Sequence, residues 1–412
     1  MLELGAIGTV FLMPLVFWPA AALPFSTAKR WLVSGWLILG FGAAAGARIY
    51  KARILPSRVM AGLAVWVSAL ALSAALGREA ALPALLDAVL PCAHALLLLW
   101  IAPRVRQLVL TLVASATLVA FVAILQYLHW DPFRLFGVVG SMQGNARIQV
   151  FSTLGNPNFV AAFLVSVLPL TLTATAMQDR NGRVGRLFCV CAALVQTGAI
   201  LATGSRAPIL ALVAAGAWFF YRSSRYRWRV LAGGLVLSAI LIILSPARSL
   251  ERTVAGRLYI GKVVARHVAE IPLTGFGPGA FPLRFAEWET EHLRMQADDG
   301  KRQFAGLQDH AHNDYLEFTV DHGFSGLVAF ILMLILLVPV SWRPSAAGSR
   351  IEDGLVAAIV ALLAVGVVDF PLHRQTELFL FWTFVALLWN PGEADAPGAK
   401  RGPGNLKLYT AS

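Results

Sequence analysis

Side chains that could act together chemically are confined to a few short stretches of this 412-residue chain. The richest is Asp309-His310-Ala-His312-Asn313-Asp314-Tyr315-Leu-Glu317. Read as a helix, it sets His310, Asp314, Glu317 and Asp321 at i, i+4, i+7 and i+11 on one polar stripe, with His312 and Asn313 on neighbouring faces. A neutral imidazole held by a carboxylate or amide can take a proton from a hydroxyl, the usual work of histidine as a general base. The same residues could serve only as a polar cap on a helix end. A His-x-His pair could also take zinc, but a third ligand at motif spacing is missing.

Two arginines stand out by their setting. Thr203-Gly-Ser-Arg206-Ala-Pro208 reads as a very short turn between two apolar runs, with Gly204 permitting the reversal and Pro208 in the first turn of the next helix. Arg206 is thereby fixed at a membrane surface, where it either snorkels as a helix anchor or grips phosphate oxygens bidentately. Arg257, in Gly256-Arg257-Leu-Tyr-Ile-Gly-Lys262, opens a helical piece running to Glu270. It lies either at a helix start suited to an anion or on a solvated amphipathic face. Leu154-Gly-Asn156-Pro-Asn158 and Asp369-Phe-Pro-Leu-His373-Arg374 read first as turns and helix caps. Asp298-Asp299 beside Lys301-Arg302 reads as a solvated loop tip rather than a metal site.

These residues must be positioned by apolar elements. The chain is 58% hydrophobic and 14% charged, with mean hydropathy +0.69, and an ordinary soluble domain is about 25% charged. A soluble globular protein is excluded, and an all-α polytopic membrane protein is indicated. Apolar runs at 5–24, 31–48, 59–77, 84–102, 107–128, 158–177, 187–203, 207–221, 230–245, 315–341, 354–368 and 376–390 give about twelve transmembrane helices. The first run lacks the basic start and small-residue cleavage site of a signal peptide and should stay attached. Cys92, Cys189 and Cys191 all fall in apolar runs, as small core residues and not as a disulfide framework.

The net charge of +12 is explained by topology rather than by nucleic acid. Eighteen Lys and Arg fall on the side of the termini and seven in the short connections opposite, which makes both termini cytoplasmic. The basic stretch Arg222 to Arg229 belongs to that signal. The chain then divides into a five-span bundle at 1–128 and central spans with the outward arginine turn at 129–245. An outward loop at 246–314 forms a small helical cap, C-terminal spans occupy 315–390, and a disordered tail follows at 391–412. Seven of the eight histidines lie on the outer side or its rim. Chemistry there has no access to cytoplasmic nucleotide sugars, so its substrate must be carried on a lipid.

Taken in order, Ser152-Thr-Leu-Gly-Asn-Pro-Asn-Phe159, Gly204-Ser-Arg206, Gly256-Arg257 through Pro272-Leu-Thr-Gly-Phe-Gly-Pro-Gly279, His310-Ala-His-Asn-Asp-Tyr-Leu316 and Asp369-Phe-Pro-Leu-His373 resemble the O-antigen ligase and polymerase superfamily of bacterial inner-membrane glycosyltransferases. The resemblance covers about 150 to 385 and implies transfer of a glycan from undecaprenyl diphosphate to an acceptor hydroxyl on the periplasmic face, without metal or cofactor. It implies that Arg206 and Arg257 hold the donor diphosphate and that His312 activates or orients the acceptor, with His310, Asn313, Asp314, Asn156 and Asn158 in support. The acceptor would be a lipid A-core sugar in a ligase, a growing glycan in a polymerase, or a protein in the third branch. Length and the single large loop favour a ligase. The partners implied are the lipid-linked donor, a glycan acceptor and membrane lipids, with no nucleic acid. A transporter or flippase of the same span count would place ionisable groups near mid-span, often in inverted repeats.

Overall fold

The computed structural model describes residues 1–21, 23–46, 55–136, 150–177, 182–222, 247–295, 308–338 and 350–390, with Gly306 and a few positions between 223 and 246. Among the described residues the chain is all helical. The helices are α1 (Leu2–Leu12), α2 (Thr27–Gly46), α3 (Ser57–Leu76), α4 (Leu82–Ile101), α5 (Val105–Tyr127), α6 (Pro157–Met177) and α7 (Arg183–Thr203). They continue with α8 (Ala207–Arg222), α9 (Ala247–Arg266), α10 (Phe281–Met295), α11 (Asp314–Leu337), α12 (Arg350–Gly366) and α13 (Gln375–Leu388). Six of them, α3 to α7 and α11, are long and apolar enough to cross a membrane, and α1, α8 and α13 are shorter apolar helices. The chain is therefore an α-helical multi-pass membrane protein.

Length follows from the bilayer. Twenty apolar residues rise about 30 Å, the thickness of the hydrocarbon core. The first apolar run departs from that rule: it is helical only over Leu2–Leu12, because Pro14, Pro19 and Pro24 follow and cannot continue the helix. Met13 and Pro14, which follow, are buried against the bundle, while Trp18 to Ala20 are exposed. Packing pairs α3 with α11, α6 with α7 and α12, α8 with α12, and α4 with α13. Arg222, part of the expected surface signal, is buried and donates from Nε to Asp353 Oδ1 at 2.7 Å, tying α8 to α12.

A second, smaller core lies apart from the bundle. Tyr259, Ile260, Val263 and Val264 of α9 meet Phe281, Phe285 and Trp288 of α10, with Ala311 and Val320 beneath. The Gly-Pro-rich segment between these helices turns and lies along a break in α11. Gly323 takes φ 67° and ψ −176°, so the helical ladder opens there. Phe276 N then donates to Val320 O at 3.1 Å, and Gly277 N to Asp321 O at 2.9 Å. Irregular backbone at this depth is tolerated because protein satisfies the freed groups. The approach leaves no room for side chains: a Cβ on Gly323 would stand 2.1 Å from Leu273 O, and one on Gly275 2.2 Å from Asp321 O.

Three readings need correction. The helix carrying Arg257 starts at Ala247, so Arg257 lies mid-helix and not at a helix start; Gly256 is absorbed into the amphipathic pattern. Cys92 and Cys189 are buried as expected, whereas Cys191 is exposed on the outside of α7. His322 lies inside α11 and is buried, not on the rim. The expected span at 230–245 falls largely outside the described residues. Arg225 to Arg229 at its start, Arg147, the Asp298-Asp299 and Lys301-Arg302 tip and the tail at 391–412 lie outside them too, apart from Trp228.

Candidate functional site

At one end of the bundle, where α2, α4, α6, α11 and α13 begin and α12 ends, a cavity of about 640 Å³ is lined by Lys29, Arg30, His310, His312, Phe370 and Arg374, among others. A smaller one of about 280 Å³ adjoins it and shares His310, His373 and Arg374. Its own lining includes Trp66, Glu317, Phe318 and Asp321.

The histidine stretch is built by a helix cap. Asn313 precedes α11 and its Oδ1 accepts Leu316 N at 2.9 Å, satisfying one of the orphan donors of the first turn. Its Nδ2 donates to Val367 O at 2.9 Å, which docks the start of α11 on the end of α12. Since the helix begins at Asp314, His310 is not on its face. It reaches the stripe from outside, with Nδ1 2.8 Å from Glu317 Oε1, while Ala311 N donates to the other oxygen at 2.9 Å. His312 takes φ 51°, a left-handed conformation that costs a non-glycine residue on the order of 1 kcal/mol and tends to collect at functional sites.

His310 and His312 both rest on Phe370: the first stacks at 4.0 Å between centroids, the second meets it edge-on at 5.2 Å. His312 Nδ1 stands 3.7 Å from Asp369 Oδ1, in ion-pair range but longer than a hydrogen bond. Asp369 is fully buried, and Arg374 NH1 donates to its Oδ2 at 3.1 Å. The other arm of Arg374 is 3.1 Å from Glu377, and its guanidinium lies 4.2 Å from the Phe159 ring centroid. Burial alone would raise the Asp369 pKa, but Arg374, His312 and Arg257 outweigh it and hold it at about 2. Asp314 accepts from His373 Nδ1 at 2.7 Å and from Leu372 N at 3.0 Å. His373 is disfavoured as a cation by its burial, yet Glu317 and the bonded Asp314 prevail and raise its pKa to about 9.

The two expected arginines stand differently. Arg257 is half-buried on α9, close enough to Asp369 for the two charges to act on one another; burial lowers its pKa and Asp369 offsets part of that. Arg206 follows Gly204, whose φ of 58° closes α7, and precedes α8. It is half-exposed and is not among the residues lining the large cavity. Asn156 does what its capping reading required, its Oδ1 accepting Asn158 N at 2.8 Å where α6 starts. Asp321 serves the fold, accepting Gly279 N and Phe281 N at 2.7 and 2.9 Å at the start of α10.

Sequence reasoning passed over the cations that do line the cavity. Lys29 is buried and donates to Phe25 O and Thr153 O at 2.8 and 3.1 Å. Arg30 pairs with Asp87 through two bonds of 2.8 and 2.6 Å. Both had counted only toward topology, and Arg374 had been read as part of a turn and helix cap. A signal was available: charge at the very start of an apolar run on the side that holds the histidines.

Residues 187–331 match the family model of O-antigen ligase, a stretch that holds Arg206, Arg257, His310 and His312 and stops short of Asp369. No curated protein matches the chain. The match supports the O-antigen ligase and polymerase superfamily, the one the motifs resemble.

Proposed function

We propose that the chain is an O-antigen ligase-type glycosyltransferase that moves a glycan from undecaprenyl diphosphate to a hydroxyl of a lipid A-core sugar. What carries the reading is that His310, His312 and the buried Arg374 line one cavity at a single end of a membrane bundle, in a chain whose residues 187–331 match the family. In this reading His312 binds or deprotonates the acceptor hydroxyl. The hydroxyl oxygen attacks the anomeric carbon with inversion, the bond from that carbon to the diphosphate oxygen breaks, and Arg206 and Arg257 hold the charge that the diphosphate carries away. Arginine suits this better than lysine because its planar fork meets two phosphate oxygens at once. His310, Asn313, Asp314, Asn156 and Asn158 support these groups.

The same reading places the protein in the bacterial inner membrane with about twelve spans, both termini cytoplasmic, and residues 246–314 as a periplasmic cap. A cysteine at Ala305, outside the described residues, should be labelled from outside in intact cells. Labelling only after lysis would overturn the placement.

The direct test supplies purified protein with undecaprenyl diphosphate-linked glycan and, separately, lipid A-core, a glycan repeat or a pilin-like protein. Product with lipid A-core is the expected result. Product with one of the other acceptors alone would reassign it to the polymerase or protein-glycosylating branch. Movement of the lipid-linked glycan across a vesicle without any transfer would make it a transporter.

A further inference from the structure

Two imidazoles share one buried carboxylate beside the cavity. Glu317 Oε1 is 2.8 Å from His310 Nδ1 and 3.8 Å from His373 Nε2, and the two ring centroids are 6.3 Å apart. Glu317 cannot drift, because Ala311 N holds its second oxygen. The two histidines are not equivalent. His373 has a second carboxylate of its own in Asp314 and is 14% exposed; His310 has only Glu317 and is 33% exposed. Asp314 and Glu317 are themselves almost wholly buried. The titratable and charged groups around the pair are Asp314, Glu317, Asp321 and His322 on α11, Asp309 and His312 before it, Arg374 after the 371–373 turn, and Arg30 of α2 and Asp87 of α4 across the smaller cavity.

Two imidazolium ions this close in a poorly hydrated site repel one another, so the pair favours a single extra proton, and the ring flanked by two carboxylates takes it. We propose that His373 is a positioning residue: as an imidazolium clamped between Asp314 and Glu317 it keeps His310 neutral, with Nδ1–H on Glu317 and Nε2 left to receive the acceptor's proton in the cavity. His312 then binds the hydroxyl and His310 takes its proton, which rests on the glycosyl-transfer reading above. The raised pKa of His373 agrees with its carrying the charge. Environments that push neighbouring titratable groups apart are how one site holds an acid form and a base form together.

Histidine ring resonances of the labelled wild-type protein in detergent test the protonation assignment without any substrate, the two rings being assigned by their loss in H310Q and H373Q. His373 should remain charged through pH 7 while His310 is neutral there. A neutral His373 at pH 7 overturns the proposal even if glycan transfer is demonstrated. Failure of every acceptor while the resonances behave as stated would instead remove the glycosyl-transfer reading and leave the proton pair standing. In the transfer assay, His373→Gln keeps a bond to Asp314 and loses the charge. The acidic limb of kcat/KM should move up by about one pH unit, the coupling at which two sites cease to titrate independently, with the KM of the donor unchanged. His373→Lys should restore the limb. An unshifted limb in a folded His373→Gln, or no restoration by lysine, would show His373 to be structural only.

Discussion

In the proposed site, the histidine side and the arginine side are built to different degrees of order. On the first, His310 is tied to Glu317, His373 to Asp314, and Arg374 to Asp369 and Glu377, all at 3.1 Å or less, while His312 stands 3.7 Å from Asp369 within that frame. The second is carried on two separate elements, the α7–α8 turn for Arg206 and the middle of α9 for Arg257, and both side chains are half-exposed. A proton must be received at a fixed distance, so the histidines require a rigid frame. A diphosphate can itself draw two guanidinium groups together. The sharpest break between the sides should appear in kinetics. His312→Ala should lower turnover by about 10²- to 10⁴-fold while binding of the lipid-linked donor persists. Arg206→Lys and Arg257→Lys should instead weaken donor binding by about 10- to 100-fold, the worth of hydrogen bonds to a charged group. Loss of donor binding in His312→Ala, or normal donor binding in both arginine variants, would erase the division.

The next effect is on stability. Arg374→Met would leave Asp369 and Glu377, 0% and 1% exposed, without their shared cation. Removing one partner of a buried ion pair costs about 3–5 kcal/mol. Thermal unfolding in detergent should register most of that, and pairing the change with Asp369→Asn should recover part of it because the stranded charge is gone. An additive double variant would mean that Arg374 acts through Phe159 and Phe370 alone. Arg257→Met, tested alongside, should cost far less, since its surroundings remain partly hydrated.

How far the sequence could reveal these sides follows from where their parts lie along the chain. The polar stripe of Asp314, Glu317 and Asp321 was legible because helical spacing is local, and the Asn-capped start of α11 fits it. The arginine turn was legible from Gly204 and Pro208. The Asp369 to Arg374 stretch read as a turn, since nothing local tells that its carboxylate and guanidinium meet His312 and Glu377 in a buried frame. The same holds for Lys29 and Arg30, brought to the cavity by packing of α2 against α4. The break at Gly323 was invisible because its cause, the backbone of 273–277, is about fifty residues away.

Acidity offers a third contrast. His373 has its pKa raised from 6.5 to about 9, so its contribution to stability is fully present below 6.5 and is lost as pH rises through 9. Asp369 has its pKa lowered from 3.8 to about 2, so its contribution is present above 3.8 and is lost as pH falls through 2. The melting temperature should therefore hold between about pH 4 and 6.5 and decline toward pH 9. His373→Gln should flatten the alkaline decline. A decline of equal slope in that variant would place its origin elsewhere.

The smallest effect isolates burial as the variable. Arg30 and Asp87 form a better-shaped ion pair than Arg374 and Asp369, with two parallel bonds of 2.8 and 2.6 Å on the same cavity wall. Geometry alone would rank it the stronger. Yet the side chains are 37% and 22% exposed, so water screens the attraction and solvates whichever charge is left behind. Gln375 Nε2, 3.0 Å from Asp87 Oδ1, would remain to hold the carboxylate in place. Arg30→Gln should consequently cost no more than about 1 kcal/mol, and that cost should shrink as ionic strength rises. Melting curves of Arg30→Gln and Arg374→Met in low and high salt provide the measurement. A salt-insensitive loss for Arg30→Gln comparable to that of Arg374→Met would mean that exposure does not separate the two pairs, and the frame around the histidines would then have to extend to α2 and α4.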